Sequence, residues 1–381
     1  MKILFTVQGE GRGHLTQALT LRRMLAACGH EVVGVVVGKS PARRVPAFFL
    51  DKIEAPVYAV ESPNFLPAGS RNRPPLGRSI LYNAARLGRF RSGIRQIRQL
   101  ARKVDVVVNF YELLTGLAYA LGGLHTPLVC VGHQYLFLLP DFDFPPGHRI
   151  PLWLLRLYTR GTAFRSKSLL ALSFRPGEHP CPGRIRVVPP LLREAVRRAV
   201  PTAGDYLHGY MLNSGFSKEI LAWHKAHPSV PLHFFWDKPT AGGQWRVDDR
   251  LTFHSLDDEA FIRYMAGARA YATTAGFESV CEAMYLGKPV LMVPTHIEQL
   301  CNAYDAEAAG AGIRCATFDL DRLNSLKPVD GTRFRSWTDS AERMIPEQIE
   351  EAVRLAAEET HSRFLQYCAL CGAQLRLFFR R

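Results

Sequence analysis

Short apolar runs alternate with amphipathic stretches along the first half of the chain. The run Lys2–Val7 is followed by a glycine-rich segment, by leucines at helical spacing over Leu15–Cys28, and by a second apolar run, Glu31–Val37. Such runs predict buried strands, and a strand–helix–strand unit of this size predicts a parallel sheet with a right-handed crossover. Further elements of this sheet are predicted as strands at Val104–Asn109, Pro127–Val131 and Arg184–Val188 and a helix at Leu113–Leu121.

A polar and basic segment, Arg193–Gly204, is typical of a linker, and the alternation restarts after it. The pattern predicts an α/β protein of two doubly wound, Rossmann-like domains that face each other across a cleft. We expect these domains to comprise residues 1–200 and 201–381, with the last helix as a candidate to pack back on the first. Ligands of such sheets bind at the carboxyl ends of the strands. The strands predicted in the second domain are Tyr206–Met211, Leu232–Trp236, Leu251–His254, Ala270–Ala272 and Pro289–Val293.

The bulk composition is that of a soluble globular protein. Of the 381 residues, 47% are hydrophobic and 22% are charged, which excludes a disordered chain. No apolar run approaches the roughly 20 residues of a membrane span, and the N-terminus lacks the features of a signal peptide, so we expect a cytoplasmic protein. The eight cysteines are expected to be free thiols; Cys368 and Cys371 form a CxxC without the second pair that a zinc site needs.

The formal charge of +14 is concentrated in one segment of the first domain. Residues 62–104 contain no acidic side chain, and four of their arginines follow a helical spacing that places them on one stripe. Apolar side chains are interleaved with them, as in basic amphipathic helices that lie on anionic membranes. The stripe predicts contact with an anionic acceptor or membrane; the alternative is a solvated face that only keeps the protein soluble. Its members are Arg91, Arg95, Arg98 and Arg102.

The loop after the first strand, Gln8–His14 (QGEGRGH), is rich in glycine and opens a helix. It does not match a dinucleotide fingerprint, because His14 stands where that motif needs a glycine and the next strand ends in Gly38-Lys39 instead of an acidic residue. The loop brings backbone close to a ligand and places His14 at the mouth of the cleft. Imidazole can take a proton near neutral pH, so His14 is a candidate general base; a histidine that only caps the helix is the alternative.

A second loop-to-helix junction, Thr273–Ala283, lies in the second domain. Gly276 permits close backbone approach, and the free amides of the following helix attract an anion such as a diphosphate. Those amides contribute only about 0.3–1 kcal/mol, so neighbouring hydroxyls have to supplement them. One turn into the helix, the Glu282 carboxylate can accept from both hydroxyls of a ribose. The other polar candidates at this edge are Thr273, Thr274, Ser279, Glu298 and Gln299.

Two segments carry a resemblance to a known family. Residues 276–303, GFESVCEAMYLGKPVLMVPTHIEQLCNA, resemble the C-terminal donor-binding signature of GT-B glycosyltransferases such as the UDP-glucosyl/glucuronosyltransferases and the peptidoglycan N-acetylglucosaminyltransferase MurG. Residues 9–19, GEGRGHLTQAL, are similar to the N-terminal loop of that superfamily. Uncharacterised prokaryotic glycosyltransferases are closer still, and the resemblance covers nearly the whole chain. The further shared motifs are Glu112, His133-Gln134, Pro189–Arg193 and Gly204-Asp205.

The resemblance implies an inverting, metal-independent hexosyltransferase whose substrate is a nucleotide sugar, a UDP-sugar first, and which needs no cofactor. The N-terminal domain would bind the acceptor and the C-terminal domain the donor. His14 is implied as the base that activates the acceptor hydroxyl, with Glu112 as its acidic partner and Glu282 as the ribose ligand. The other implied residues are Gly13, Asn213, Ser214, Gly215, Thr274, Gly276 and Ser279 at the donor diphosphate, and Glu298 and Gln299 at the donor sugar.

The chain departs from the family's pattern at two positions. Thr274 stands where many plant-type relatives have a phosphate-binding histidine, so an ionic contact to the phosphates has to come from elsewhere. Phe110-Tyr111-Glu112 stands where the close relatives have Asp-Phe-Glu, so Glu112 replaces the expected aspartate as partner of the base. Asp141-Phe142-Asp143 matches the metal-binding signature of another glycosyltransferase fold, but it lies in a proline-flanked loop and we expect no metal there.

Two other functions remain open from the sequence. One is a nucleotide-sugar 2-epimerase, which shares the architecture, and the other is a non-catalytic protein that binds anionic surfaces on the same scaffold. For a transferase, a lipid or lipid-linked acceptor fits the basic stripe and would make the protein peripheral at the inner face of the membrane. No recognised nucleic-acid motif accompanies the charge, so no specific nucleic-acid partner is expected.

Overall fold

Two open α/β sheets, joined by a short crossing segment, form the protein. Each sheet has seven strands in the described part of the chain, with helices packed on it, so the predicted α/β class is confirmed. No described helix is long and apolar enough to cross a bilayer. The structure is a computed structural model that describes residues 1–41, 43–63, 82–83, 86–177, 183–212, 214–238 and 240–378, with the backbone alone for Leu87, Ala241 and residues 360–378.

The first sheet is entirely parallel. Its strands are β1 (Lys2–Gln8), β2 (Glu31–Lys39), β3 (Val57–Glu61), β4 (Val106–Phe110), β5 (Leu128–Gly132), β6 (Ser168–Leu172) and β7 (Ile185–Val188). They lie in the order β3-β2-β1-β4-β5-β6-β7. Both faces of β1 are buried, since Phe5 packs in one hydrophobic cluster and Leu4 in the cluster on the opposite face. Strands buried on both faces have nearly continuous apolar sequences, which explains why their runs are easy to recognise.

Five helices connect these strands within the described residues. They are α1 (Gly13–Ala27), α2 (Ala47–Ile53), α3 (Phe90–Ala101), α4 (Leu113–Ala120) and α5 (Arg149–Thr162). On one side of the sheet, α4 packs between α3 and α5, so the three helices form one layer. α5 also contacts the second domain, which places this layer beside the cleft.

The second sheet repeats the plan with one antiparallel strand. Its strands are β8 (Leu207–Met211), β9 (Leu232–Trp236), β10 (Gln244–Arg246), β11 (Leu251–Ser255), β12 (Ala270–Thr273), β13 (Val290–Met292) and β14 (Gly312–Arg314). Their order is β10-β11-β9-β8-β12-β13-β14, and the β10–β11 hairpin is the antiparallel pair. Its helices are α7 (Ser217–Ala226), α8 (Asp258–Gly267), α9 (Phe277–Tyr285), α10 (Ile297–Ala308), α11 (Leu320–Ser325) and α12 (Thr332–Asp339), with the short α6 (Glu194–Arg198) before the sheet.

The strand order reverses at one point in each sheet. In the first sheet β1 lies between β2 and β4, and in the second β8 lies between β9 and β12. Such switch points open a crevice at the carboxyl ends of the strands. The loops after β1 and β4 and those after β8 and β12 therefore border the crevices where ligands bind.

The last helix returns to the first sheet. α13 (Ala341–Phe378) follows the second domain in sequence but contacts β6 and β7 as well as α1. Its ion pairs to the first domain include His30–Glu350 at 2.8 Å and Lys167–Glu359 at 2.5 Å. The first sheet ends at Val188 and the second begins at Leu207, on either side of the boundary predicted at residue 200.

Candidate active site

His14 lies at the start of α1, directly after the glycine-rich loop. The amide of Gly9 donates to the carbonyl of Gly38 at the end of β2, at 2.7 Å. A β-carbon at Gly9 would lie 3.0 Å from the same carbonyl oxygen, so glycine lets the loop pass this close to β2. The loop then continues into α1 with His14 as the second helical residue, half-buried at the carboxyl edge of the sheet.

A chain of hydrogen bonds links His14 to the second domain. His14 Nδ1 lies 3.1 Å from Gln17 Oε1, and Gln17 Nε2 donates to the carboxylate of Glu278 on α9. Because a carboxylate only accepts, the amide nitrogen of Gln17 faces Glu278 and its oxygen accepts from His14. A neutral His14 therefore carries its proton on Nδ1, which leaves the lone pair of Nε2 free to take a proton.

Glu278 approaches the N-terminus of α1 closely. A β-carbon at Gly13 would overlap its carboxylate, so a larger residue there would displace Glu278. A carboxylate is favoured at this end of a helix. Burial raises the pKa of Glu278, and the neighbouring His14 offsets part of that rise. Gly13, predicted at the donor diphosphate, thus provides the space in which the two domains meet.

The donor-side turn joins β12 to α9. Ala275 has a left-handed backbone with φ of 63°, which is unusual for a residue with a side chain, and Thr274 is buried beside it. Gly276 is the residue before the helix and has no side chain with which to cap the amides of α9. Ser279 Oγ donates to the Gly276 carbonyl at 3.2 Å and lies 3.4 Å from Thr273 Oγ1. Helix amides beside a hydroxyl are a suitable binding position for an anion.

Glu282, on the second turn of α9, is held in a buried ion pair. Arg193 Nε and Nη2 donate to its two oxygens at 2.6 and 2.8 Å. Arg193 also lies 3.5 Å from Asp258, which Arg12 of the first domain approaches at 3.8 Å. Arg193, at the start of the segment Arg193–Gly204 that was predicted as the linker, thus also belongs to the wall of the cleft. A carboxylate has lone pairs beyond those that Arg193 uses, so Glu282 can still accept from hydroxyls.

The two predicted sugar ligands differ in their surroundings. Glu298 accepts from Gln134 Nε2 of the first domain at 2.8 Å, so its carboxylate bridges the cleft. Gln299 turns back on its own segment, where its Oε1 accepts from the amide and the hydroxyl of Thr295 at 3.0 and 2.7 Å. Glu298 is the better placed of the two to meet a ligand, whereas the oxygen of Gln299 stabilises the start of α10.

His133 is a buried contact between the domains. Its Nδ1 donates to the carbonyl of Leu172 at 2.8 Å, and its ring stacks on Phe277 at 4.2 Å between centroids. Burial lowers the pKa of His133 to about 4, so the ring is neutral at physiological pH. Since Phe277 is the first residue of α9, this stack helps to fix the donor-side helix against the first sheet.

Glu112 is not the partner of His14 in this structure. Its Oε1 accepts from Ser62 Oγ at 2.6 Å and from the amide of Leu114 at 2.9 Å, while its Oε2 lies against Gly38 without a hydrogen bond. The carboxyl therefore caps α4, and the predicted acid–base pair is not formed. Burial raises the pKa of Glu112 to about 7.

The aromatic ring beside His14 belongs to Tyr111. The two ring centroids are 5.8 Å apart, and Tyr111 has a left-handed backbone with φ of 61°. Its hydroxyl pairs with Thr159 Oγ1 on α5 at 2.7 Å. Tyr111 thus packs between α1 and α5, so an uncharged aromatic residue contacts His14 where the sequence predicted a carboxylate.

The turn after β8 is described in part. Asn213 lies outside the described residues. Ser214 begins a 3-10 turn, Ser214–Phe216, which includes Gly215, and its carbonyl accepts from Ser217 Oγ at 2.7 Å. Because β8 is the parallel neighbour of β12, this turn and Gly276 lie along the same edge of the sheet.

The arginine stripe is only partly a surface feature. Arg91, Arg95 and Arg102 are exposed on α3. Arg98 instead donates to the carbonyls of Ala118 and Gly122 at 2.7 and 2.8 Å and so terminates α4. The apolar face of α3 is buried against the protein, which leaves this helix no apolar surface for a bilayer.

Metal and thiol chemistry receive no support from the described residues. Among them, no group of three or more His, Cys, Asp or Glu side chains is arranged to hold a metal ion. Asp141 and Asp143 are both exposed in the loop before α5. The side chains of Cys368 and Cys371 lie outside the described residues. The described cysteines are unpaired thiols, as predicted: Cys28, Cys130, Cys281, Cys301 and Cys315.

Comparison with known proteins identifies the family. Residues 1–327 match the family model described as glycosyl transferase family 1. The chain belongs to this family. It is similar to an uncharacterized glycosyltransferase of Methanosarcina mazei, 26% identical over 342 residues that cover 82% of this chain and 86% of the relative. A second uncharacterized glycosyltransferase, from Methanosarcina acetivorans, is 24% identical over 340 residues, or 82% of this chain and 83% of the relative.

Solved structures show the fold of this glycosyltransferase to be GT-B. Phytolacca americana UGT2 complexed with UDP-2-fluoroglucose and pterostilbene superposes with a TM-score of 0.62 at 15% identity, covering 94% of this chain and 98% of that one. Arabidopsis thaliana UGT89C1 gives a TM-score of 0.57 at 16% identity with the same coverage, 94% and 98%. The prediction of two Rossmann-like domains in a GT-B arrangement is therefore confirmed.

Three polar residues of the glycosyltransferase's cleft were not assigned a role from the sequence. They are Gln17, Arg193 and Glu278. The position of each in the sequence could have indicated that it belongs to the site. Gln17 lies three residues beyond His14 and Glu278 four before Glu282, so each shares a helix face with a predicted site residue. Arg193 closes the motif Pro189–Arg193 that supports the resemblance. Only the pairing of these residues across the cleft required the structure.

Proposed function

We propose that this glycosyltransferase moves a hexose-type sugar from a nucleoside diphosphate sugar to an acceptor hydroxyl, with inversion at the anomeric carbon and without a metal. One observation carries the proposal: the hydrogen-bonded chain His14–Gln17–Glu278 joins a histidine with a free Nε2 to the helix that begins after Gly276. A proton acceptor and a binding position for a diphosphate thus share one cleft.

The transfer follows from this arrangement. His14 Nε2 takes the proton of the acceptor hydroxyl while the oxygen of that hydroxyl forms a bond to the anomeric carbon. The bond from that carbon to the diphosphate oxygen breaks on the opposite face, and the nucleoside diphosphate leaves with the electron pair. Amides of α9 and the hydroxyl of Ser279 stabilise the charge that develops on it. Glu278 stabilises the imidazolium of His14, since its carboxylate reaches that ring through Gln17.

A UDP-sugar is the first candidate for the donor. The solved Phytolacca americana enzyme was complexed with UDP-2-fluoroglucose, and its fold is shared with this chain. Glu282 would accept from the ribose hydroxyls with Arg193 holding both its oxygens in place, and Glu298 would accept from the sugar. Ser214 and Gly215 would approach the phosphates from the neighbouring turn.

A lipid or lipid-linked molecule is the proposed acceptor, with the protein peripheral at the inner face of the membrane. The exposed arginines Arg91, Arg95 and Arg102 support this part of the proposal, because they present positive charge on the domain that would bind the acceptor. The positive formal charge of the whole chain, +14, acts in the same direction.

Two measurements test the proposal. A thermal-shift series with UDP, dTDP, GDP and their sugars is expected to show the largest stabilisation with a uridine ligand, and EDTA should leave that shift unchanged. The preferred donor is then incubated with simple alcohols and with lipid-linked alcohols. Proton NMR follows the coupling constant of the anomeric proton, which should report an inverted anomeric configuration in the product. A Leu50→Gln variant, altered on exposed α2, serves as the folded control.

The same spectra contain the outcomes that would contradict the proposal. Interconversion of the donor without an acceptor would indicate an epimerase. Retention of the anomeric configuration would exclude the direct displacement by an acceptor activated by His14. Absence of any shift with all three nucleotides would remove the assignment of the α9 turn as a diphosphate site.

A further inference from the structure

α5 exposes a row of large apolar side chains to solvent. Ile150 is 73% exposed, Trp153 60%, Leu157 51% and, just beyond the helix end, Phe164 48%. Their positions follow the spacing i, i+3, i+7 and i+14, which is one face of a helix. Arg160 completes the row and is also exposed. Contiguous exposed apolar surface of this kind marks an interaction site.

The inner face of α5 combines apolar packing by Leu155 with hydrogen-bonded threonines. Thr159 and Thr162 are buried, and their hydroxyls pair with the phenols of Tyr111 and Tyr135 at 2.7 and 3.0 Å. Because these hydrogen bonds hold the inner face, the helix cannot rotate to bury the row without leaving buried hydroxyls unpaired. The inner face is already occupied by Leu155 and the two threonines, and the apolar row remains outside.

Positive charge surrounds this row. None of the layer helices α3, α4 and α5 contains an acidic residue, and the whole stretch of residues 144–177 has none. The turn after α4 exposes 69% of Leu121, with Arg165 and Arg98 close to the two glycines that follow it. The arginines and the apolar row therefore belong to one surface.

A recess beside this row combines the same two features. It encloses about 600 Å³ next to Phe164. Leu138, Leu169 and Ile185 provide apolar walls, and Arg160, Arg165 and Arg184 provide guanidinium groups. Apolar walls beside guanidiniums match an amphiphile that carries an anionic headgroup.

We infer that the α5 face, defined as Ile150, Trp153, Leu157, Arg160 and Phe164 with the recess beside Phe164, docks on a bilayer that contains anionic lipids. Aliphatic and aromatic side chains enter the boundary of the acyl chains, and arginines bind the headgroups. A second copy of the chain fits this face less well, because a twofold contact would bring its arginines against each other. Single-stranded nucleic acid would use the arginines but not Ile150 and Leu157.

Docking through α5 would bring the bilayer close to the proposed base. Thr159 on the inner face bonds to Tyr111, whose ring is 5.8 Å from that of His14. One helix diameter, about 10 Å, thus separates the docked surface from the cleft. The inference deepens the proposed lipid-linked acceptor and rests on the proposed function in that respect alone. It also assigns the membrane contact chiefly to α5, with α3 adding charge.

Vesicle flotation with the full chain tests the docking without any sugar donor. The unmodified protein is expected to float with vesicles of phosphatidylcholine and phosphatidylglycerol, to bind pure phosphatidylcholine weakly, and to bind less at high salt. The double variant Trp153→Gln, Leu157→Gln should lose at least about tenfold in its partition coefficient. Its matched control is Trp245→Gln, Leu50→Gln, which removes side chains of 40% and 48% exposure elsewhere, and should bind as the unmodified protein does.

Four outcomes would overturn the inference. They are absence of binding to anionic vesicles, equal loss in the control pair, concentration-dependent dimerisation that the Trp153/Leu157 pair abolishes, and tighter binding to a single-stranded oligonucleotide than to vesicles. Arg160→Gln should reduce binding to anionic vesicles and leave binding to neutral ones unchanged. Nucleotide thermal shifts of every variant stay those of the unmodified protein, so failure of docking and failure of the donor site are separate results.

Discussion

The two sides of the cleft are built differently. Most of the donor side is one continuous stretch of chain, residues 273–299, in which a turn, a helix, a strand and a second helix start follow each other. The first-domain side collects His14, Tyr111 and Gln134 from three segments that follow different strands. A continuous stretch keeps its geometry through local hydrogen bonds, whereas the first-domain side depends on the packing of the whole sheet.

The two carboxylates on α9 also differ, in this case by the partners to which they are hydrogen-bonded. Glu282 is paired with a guanidinium that neutralises it, so it is a fixed acceptor. Glu278 has an uncharged amide, Gln17, between itself and His14, so its charge can respond to the imidazole. In the proposed mechanism, this single helix provides one carboxylate for binding and one for proton transfer. The first three of the following predictions separate these two roles.

Replacement of the base should give the largest effect. His14→Ala is expected to lower kcat by about 10²–10⁴-fold, because a positioned general base contributes that much. The dissociation constant of the nucleoside diphosphate, measured by calorimetry, should change less than about twofold, since the side chain does not touch the α9 turn. Equal losses in both quantities would make His14 a structural residue.

Neutralising Glu282 should instead change the affinity for the nucleotide. Glu282→Gln is expected to weaken nucleotide binding by about 10- to 100-fold, because hydrogen bonds to a charged acceptor are replaced by neutral ones. kcat at saturating donor should fall much less. Arg193→Lys is the companion variant: it keeps the charge but loses the bidentate geometry, and should weaken binding less. Unchanged affinity in Glu282→Gln would exclude the carboxylate from the ribose site.

Glu278→Gln should have a smaller, purely kinetic effect. The amide can still accept from Gln17, so the geometry persists while the charge that stabilises the imidazolium is lost. We expect kcat to fall about tenfold with KM for the donor nearly constant. Glu278→Asp should restore part of the rate if charge is the cause. A change confined to KM would place Glu278 with Glu282 as a binding group.

Among these changes, replacement of Glu112 should have the smallest effect on kcat and the largest effect on the pH dependence of stability. Glu112→Gln is expected to change kcat less than about threefold, because the side chain is not within reach of the base. Burial raises the pKa of Glu112 from 4.5 to about 7, so its contribution to stability is present in acid and is lost as pH rises through 7.

Melting curves between pH 5 and pH 8 measure this contribution. The unmodified protein should lose up to about 3 kcal/mol of stability from this group over that range, and the glutamine variant should lose less. A large loss of kcat in Glu112→Gln would restore the predicted acid–base pair in the catalytic conformation.

The sequence predicted the fold and the local turns because both depend on short-range pattern. Lys2–Val7 and Glu31–Val37 are recognisable from their apolar composition, since strands buried on both faces are nearly continuously apolar. The short strand Val57–Glu61 was not predicted, nor was Ser168–Leu172, which follows α5. Single short runs of this length are ambiguous between strand and loop.

Contacts between distant segments could not be predicted in the same way. Arg193 and Glu282 are 89 positions apart, and nothing in either local pattern indicates their ion pair. Glu112 was assigned to His14 by its place after a strand, but a carboxyl that precedes a helix is equally suited to cap it, and the cap is what forms. The exposed apolar row of α5 was not predicted either, because the opposite face is held by hydrogen bonds from its buried threonines to two phenols that are distant in sequence.

The return of α13 has a consequence for how the molecule can be divided. The chain crosses between the domains twice, once near Arg193 and once at the start of α13, which ends against β6 and β7. Because the domains are connected at two crossings that lie side by side, the cleft can open only by rotation about the axis that joins the two crossings. A fragment that ends at residue 200 would lack the helix that covers the edge of its own sheet. The folding unit of the first domain is therefore discontinuous in the amino-acid sequence.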